Sequence, residues 1–212
     1  MSSPRRPAPR TGTAAPTGGS ARRLRRPLGP EVDAVGPPPT PLLDPPWAVV
    51  PVAPSGVELD HVVRWMAEPH VAAFWGQDWP HAAWSAEVAR QLAGDHSRPW
   101  TVWHHGERVA YVEVYRAARD VVADAYPAGA HDLGIHIAIG DRRRTGRGLG
   151  PAVLAAVAEG LFRAEAACRA VVGDPDAAHH VARRAFAAAG FEPVAEVDLP
   201  HKRAALMARR RP

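Results

Sequence analysis

Arg143-Arg144-Thr145-Gly146-Arg147-Gly148-Leu149-Gly150 follows the apolar run Leu133-Gly134-Ile135-His136-Ile137-Ala138-Ile139-Gly140 and opens a segment with helical periodicity. Consecutive backbone N–H groups at the start of a helix form a ready site for an anion. Glycines at 146, 148 and 150 let the chain approach a phosphate closely and adopt positive φ where needed. Arg143, Arg144 and Arg147 add the charge a diphosphate would require. The loop is not a Walker loop, since no Gly-Lys-Ser/Thr follows, and no strand-borne acid stands where a dinucleotide fold would need one. By itself such a loop is equally compatible with a solvated basic turn.

Working outward, Leu149, Val153, Val157 and Leu161 form one stripe of a helix over Leu149–Ala166, with Pro151 tolerated in the first turn. Upstream of the loop, Leu133–Gly140 reads as a strand, as do Trp100–Trp103 and Val109–Tyr115, which flank a hairpin signal at His105-Gly106-Glu107. Earlier still, Trp47–Val52 reads as a short strand and Ser55–Ala67 as a helix ended by Pro69. A tryptophan-rich connection, Phe74–Pro80, then leads to a helix over His81–Ala93. Downstream the pattern predicts a strand at Ala170–Val172, a helix over Ala178–Ala189 and strands near Phe191–Val197 and Ala204–Met207. This order specifies an α/β protein.

The chain has 212 residues, 46% of them hydrophobic, enough for one domain and a tail. Residues 1–46 contain 12 of the 23 prolines, so a disordered Pro/Arg-rich tail is expected over 1–45, with the domain over 46–212. Removing residues 1–40 is then expected to leave fold and activity intact. Seven arginines against Glu31 and Asp33 give residues 1–40 a net charge of +5, while the remainder carries 19 basic and 20 acidic residues. The basic character therefore belongs to the tail, which argues against a specific nucleic-acid partner. No apolar run is long enough to span a bilayer, and a cytoplasmic enzyme, monomer or homodimer, is expected. The single cysteine, Cys168, excludes an internal disulfide and reads as a buried apolar residue. His104, His105, His179, His180 and His201 lack zinc-ligand spacing, so no metal is expected.

The element Arg143-x-x-Gly146-x-Gly148, between strand and helix, resembles the pyrophosphate loop of GNAT acyltransferases. The helix ending in Gly190-Phe191 resembles that fold's next signature. More specifically, Gly134-x-His136-x-x-Ile139-Gly140, Asp174-Pro175-Asp176, His201–Met207, Trp65-Met66-x-x-Pro69 and Phe74-Trp75 are similar to the siderophore-biosynthesis acyltransferases. That group includes the N6-hydroxylysine acetyltransferases of aerobactin assembly and the mycobactin lysine acyltransferases. The resemblance covers residues 45–208 and implies a GNAT fold, a mixed central sheet of about six to seven strands flanked by about four helices.

It also implies acyl-CoA as co-substrate, acetyl-CoA first, with succinyl-CoA or a longer acyl group as alternatives. The cofactor residues would be Ile137, Ala138 and Ile139, whose backbone N–H groups would polarise the thioester carbonyl, and Arg143, Arg144, Thr145, Gly146, Arg147, Gly148, Leu149 and Gly150. His136 is implied as the catalytic group that takes a proton from the attacking nitrogen, and Asp176 as the carboxylate that orients His136 or holds the amine. Without the motif, His136 would read as a buried strand histidine and Asp176 as a helix N-cap. Trp75, Gln77, Glu113, Tyr115 and Asp120 are expected to wall the amine pocket, although core packing explains the tryptophan equally well. Two departures stand out: Phe186 replaces the usual acidic tyrosine of GNAT enzymes, and His179 replaces an asparagine.

The expected activity is N-acyl transfer to the side-chain or terminal (hydroxy)amine of a lysine-, ornithine- or cadaverine-like small molecule in hydroxamate siderophore biosynthesis. An aminoglycoside or other small-amine acetyltransferase is a second reading, and a non-catalytic acyl-CoA-binding module a third. The few acidic residues near the pocket disfavour the former, and His136 with Asp176 disfavours the latter.

Overall fold

A computed structural model describes residues 27–212. In chain order it contains α1 (Pro30–Asp33), β1 (Trp47–Pro51), α2 (Val57–Met66), α3 (Pro69–Trp75), α4 (His81–Ala93), β2 (Ser97–His104), β3 (Glu107–Arg116), β4 (Leu133–Ala138), α5 (Leu149–Ala164), β5 (Ala170–Gly173), α6 (His180–Ala188), β6 (Glu192–Leu199) and β7 (Lys202–Arg210). The seven strands make one mixed sheet in the order β1-β2-β3-β4-β5-β7-β6. Only the β4–β5 pair is parallel.

Alternation along the strands assigns the two faces. Val112, Val114, Leu133 and Ile135 are buried with Val153, Leu154, Val157 and Leu161 of α5 and Phe186 of α6. The intervening residues face the other side, where Tyr111 and Ala138 join Leu59, Val62 and Met66 of α2, Val71 and Trp75 of α3, and Trp84 and Val88 of α4. Hence Glu113 and His136, in register with each other, share the face covered by the N-terminal helices.

Locally the structure alters or adds to these expectations. Pro69 does not merely end a helix. It occupies the first turn of α3, where its missing N–H costs nothing, after Glu68 has turned extended. The connection 117–132 contains two short 3₁₀ turns, Ala117–Arg119 and Val121–Asp124. Helix α6 starts at His180 rather than Ala178, and β7 runs well past Met207.

The tail boundary moves as well. Residues 1–26 lie outside the described residues, but 27–45, expected to be disordered, are fixed to the domain. Two buried arginines supply what the composition could not reveal. Arg116 donates to the carbonyls of Gly36 and Pro37 at 2.9 and 3.0 Å and pairs with Glu165. Arg119, 1% exposed, donates to the carbonyls of Val32 and Val35 and pairs with Asp95. Further along, Leu42 N–H donates to the Gly160 carbonyl at 3.1 Å, and Arg163 binds the Leu42 carbonyl and Asp44.

Deleting residues 1–40 would strip acceptors from two guanidiniums that have little access to water. Charge-assisted hydrogen bonds contribute about 1.5–3 kcal/mol each, so this truncation is expected to lower Tm by about 5 °C or more. A calorimetric Tm equal to that of the full chain would show that the strap contributes no stability.

Candidate active site

The parallel β4–β5 pairing is confined to Leu133 with Val171 and Gly134 with Val172. Beyond Gly134 the strands part, while β4 remains paired to β3 as far as Ala138 opposite Tyr111. One edge of His136-Ile137-Ala138 therefore faces a wedge instead of a strand. Two glycines of the Gly134–Gly140 element admit aromatic rings. A Cβ on Gly134 would lie 2.0 Å from the Tyr115 ring, and one on Gly140 would lie 1.8 Å from Trp65.

Extending the β4–β5 register by two residues puts Asp174 level with His136, and Glu113 already pairs with His136 on the other side. The three side chains thus form a row across β3, β4 and the end of β5. His136 Nε2 lies 2.9 Å from Asp174 Oδ1, and His136 Nδ1 lies 3.8 Å, an ion-pair distance, from Glu113 Oε2. Asp174 Oδ1 also accepts from the Tyr115 hydroxyl at 2.9 Å, and Lys202 Nζ lies 3.0 Å from Oδ2. Glu113 Oε1 accepts from Gln91 Nε2 at 2.9 Å. The Tyr115 ring lies over the imidazole at a centroid distance of 4.7 Å, and Trp75 stands edge-on to it at 6.0 Å.

Glu113 is fully buried and Asp174 nearly so. Carboxylates only accept hydrogen bonds, and a neutral imidazole donates from one nitrogen only, so this flanking geometry favours the imidazolium. Burial alone would depress the histidine. The charge and hydrogen bond of Asp174, reinforced by Glu113, outweigh it and raise the pKa to about 9. Burial would likewise raise Asp174, but the charges of Lys202 and His136 hold it well below the usual carboxylate range. Burial, with Asp174 second, keeps the Tyr115 hydroxyl protonated well above its ordinary range.

Asp176 is not the partner of His136. Its Oδ1 accepts from Ala178 N–H at 2.7 Å, a turn ahead of α6, and its backbone bridges to Ala204. Asp120 is also set back from the row: its carboxylate accepts from Val122 N–H and pairs with His96, which lies behind the Tyr115 ring. Trp75 stands edge-on to the His136 ring, and Gln77 accepts its indole N–H at 2.8 Å. His179, which replaces the asparagine of the resembled pattern, stacks on Phe74 at 3.7 Å and so joins α3 to the start of α6. Phe186 packs against Phe191 and offers no hydroxyl to the site. Burial pushes the Cys168 thiol up to about 12, the inert state expected of it.

At the glycine-arginine loop, Gly146 and Gly148 take φ of 72° and 81°, and Gly148 caps α5. Asp141 accepts from Arg143 N–H, and Thr145 Oγ1 donates to the Arg142 carbonyl, which fixes the loop from within. Arg144 is paired to Glu107, whereas among the described residues Arg143 and Arg147 make no ion pair and are exposed. Two free guanidiniums beside a helix start, next to an open wedge, fit a diphosphate and the arm attached to it. Among the described residues no helix is long and apolar enough to cross a membrane, and no three or more His, Cys, Asp or Glu side chains are placed so that they could hold a metal ion.

A splayed parallel pair, a glycine-arginine loop capping the next helix and a histidine on the strand before it define an acyltransferase of the GNAT class. In agreement, residues 57–199 match the acetyltransferase (GNAT) domain model, and the chain belongs to that family. It is 42% identical over 171 residues to lysine N-acyltransferase MbtK of Mycolicibacterium paratuberculosis, covering 81% of this chain and 76% of that protein. It is 32% identical to the N-hydroxyputrescine acetyltransferase of Acinetobacter baumannii, covering 70% of this chain and 71% of the relative. Among solved structures, an uncharacterized protein from Bacillus halodurans superposes with a TM-score of 0.73 at 29% identity, covering 81% of this chain and 90% of that one. The chain is an acyl-CoA-dependent N-acyltransferase.

Proposed function

We propose that the protein transfers an acyl group from acyl-CoA to the side-chain or terminal amine, or N-hydroxyamine, of a lysine-, ornithine- or cadaverine-like molecule, for hydroxamate siderophore biosynthesis. The observation that carries this reading is the Glu113–His136–Asp174 row beside the unpaired edge of β4. The coarse class of acceptor follows the relatives, which are named for lysine and N-hydroxyputrescine.

In the proposed reaction the acceptor nitrogen attacks the thioester carbonyl, polarised by N–H groups of Ile137–Ile139, and the C–S bond then breaks as the C–N bond persists. Charge on His136 revises its role. A histidine held at about 9 arrives protonated at neutral pH and is a poor base for the attacking nitrogen. It is instead matched to protonating the departing thiolate, the task left open by Phe186. Neutral after that step, the ring takes up the proton released by the acylated nitrogen, and the cycle balances. A lysine ammonium, with a pKa of about 10.4, must first lose a proton that His136 cannot accept. An N-hydroxyamine is far less basic and arrives mostly neutral, so the site favours the hydroxylated acceptor. Acetyl-CoA is the proposed first donor, with succinyl- and longer acyl-CoA as the alternatives.

The test is thiol release with acetyl-, succinyl- and long-chain acyl-CoA against hydroxylysine, hydroxyornithine, hydroxycadaverine and their unhydroxylated parents. Turnover is expected with at least one hydroxylated acceptor and slower turnover with its parent at neutral pH. No turnover on any of them, with good turnover on an aminoglycoside, would overturn the reading.

A further inference from the structure

Lys202 has no part in the reaction as described above, yet its ammonium is 3.0 Å from Asp174 Oδ2 and its side chain is only 13% exposed. It opens β7 just after the β6–β7 turn, and the fold fixes that point. Asp176 bridges to Ala204, Ala205 N–H donates to the Pro175 carbonyl at 2.8 Å, and Ala177 N–H donates to the Arg203 carbonyl at 2.9 Å. These bonds clamp the Asp174–Ala177 connection to the start of β7, so lysine and carboxylate are held by backbone on both sides.

Asp174 divides its oxygens: Oδ1 accepts from His136 and Tyr115, and Oδ2 faces Lys202. The groups around the imidazole are Glu113 and Tyr115 from β3, Asp174 from the end of β5, and the uncharged Trp75 from α3, with Lys202 of β7 behind Asp174. With the ring protonated, two carboxylates balance an imidazolium and an ammonium. Removing the ammonium leaves the row one negative charge in excess, all of it acting on His136. We propose that Lys202 is a positioning residue of the acyl transfer, acting through Asp174: by sharing this carboxylate it keeps the His136 proton loosely enough held to be given to the departing sulfur.

Lys202→Met removes the charge. The His136 titration midpoint then rises by about one pH unit, because the lost cation had opposed the ring's own charge. Turnover falls with it, since the proton is released less readily, while KM for acyl-CoA stays near its parent value. Lys202→Arg keeps the cation and restores both quantities towards the parent. The midpoint is read by NMR on histidine-labelled full-length protein, the His136 signal being assigned by its loss in His136→Gln. If the methionine variant does not fold, Lys202→Gln retains a hydrogen-bond donor to Asp174 without the charge and gives the same reading.

An unmoved or lowered midpoint overturns the proposal, as does a midpoint that rises equally with arginine. The catalytic use of Lys202 rests on the acyltransferase reading, but the titration does not require turnover. Absence of thiol release on every acceptor overturns that reading separately.

Discussion

Replacing His136 with alanine is expected to lower kcat by about 10²-fold or more while leaving KM for acyl-CoA nearly unchanged, the signature of a proton-transfer group remote from the nucleotide. The pH profile of the parent enzyme separates the two roles open to the ring. A base must be neutral to act, so its rate would climb as pH rises through its pKa. An acid must be protonated, so its rate holds at neutral pH and falls as pH rises through about 9, where the raised folded-state pKa places loss of the imidazolium. With an N-hydroxyamine acceptor, already neutral, the falling limb is the expected one. The same limb should be absent from the residual activity of His136→Ala. Near-normal turnover in that variant would return His136 to a buried structural histidine, and a rate rising through the ordinary histidine range would restore it as the base.

The fold was legible because its decisive elements are local. Arg143-x-x-Gly146-x-Gly148 requires a strand before it and a helix after it, and both are visible as periodicities of two and near four. The glycines of Gly134–Gly140 were visible only as a pattern. Their physical reason, rings of Tyr115 and Trp65 pressed onto them from β3 and α2, depends on contacts across the sheet. Composition misled over residues 27–45, because proline content measures how little a segment can bury by itself. It does not register acceptors for Arg116 and Arg119, residues some 80 positions further on.

The choice between Asp174 and Asp176 exposes the same boundary more sharply. Both stand in one three-residue element, and the family resemblance pointed to Asp176, whose position just ahead of a helix spoke only for an N-cap. Deciding between them requires the β4–β5 register, in which residues 38 apart are side by side. That offset is set by the length of the 142–148 loop and of α5 and by how they return to the sheet. No local pattern carries it.

The two carboxylates should therefore separate cleanly in the laboratory. Asp174→Asn removes the charge that sustains the imidazolium, leaving Glu113 alone to support it and Lys202 facing a neutral amide. Turnover is expected to fall by about 10²-fold or more. The falling alkaline limb should move to lower pH, since loss of an anion favours the neutral ring. A buried ion pair broken on one side costs about 3–5 kcal/mol, so a lower Tm should accompany the kinetic loss. Assays well below that Tm keep unfolding from imitating it. Asp176→Asn retains an oxygen that can accept from Ala178 N–H, so its turn survives and its activity and limb should stay close to the parent's. A reversed result, with Asp176→Asn inactive and Asp174→Asn active and its limb unmoved, would mean that the carboxylate serving the reaction is the one further along the chain. The 2.9 Å contact between His136 and Asp174 would then be an ion pair of the core with no part in proton transfer.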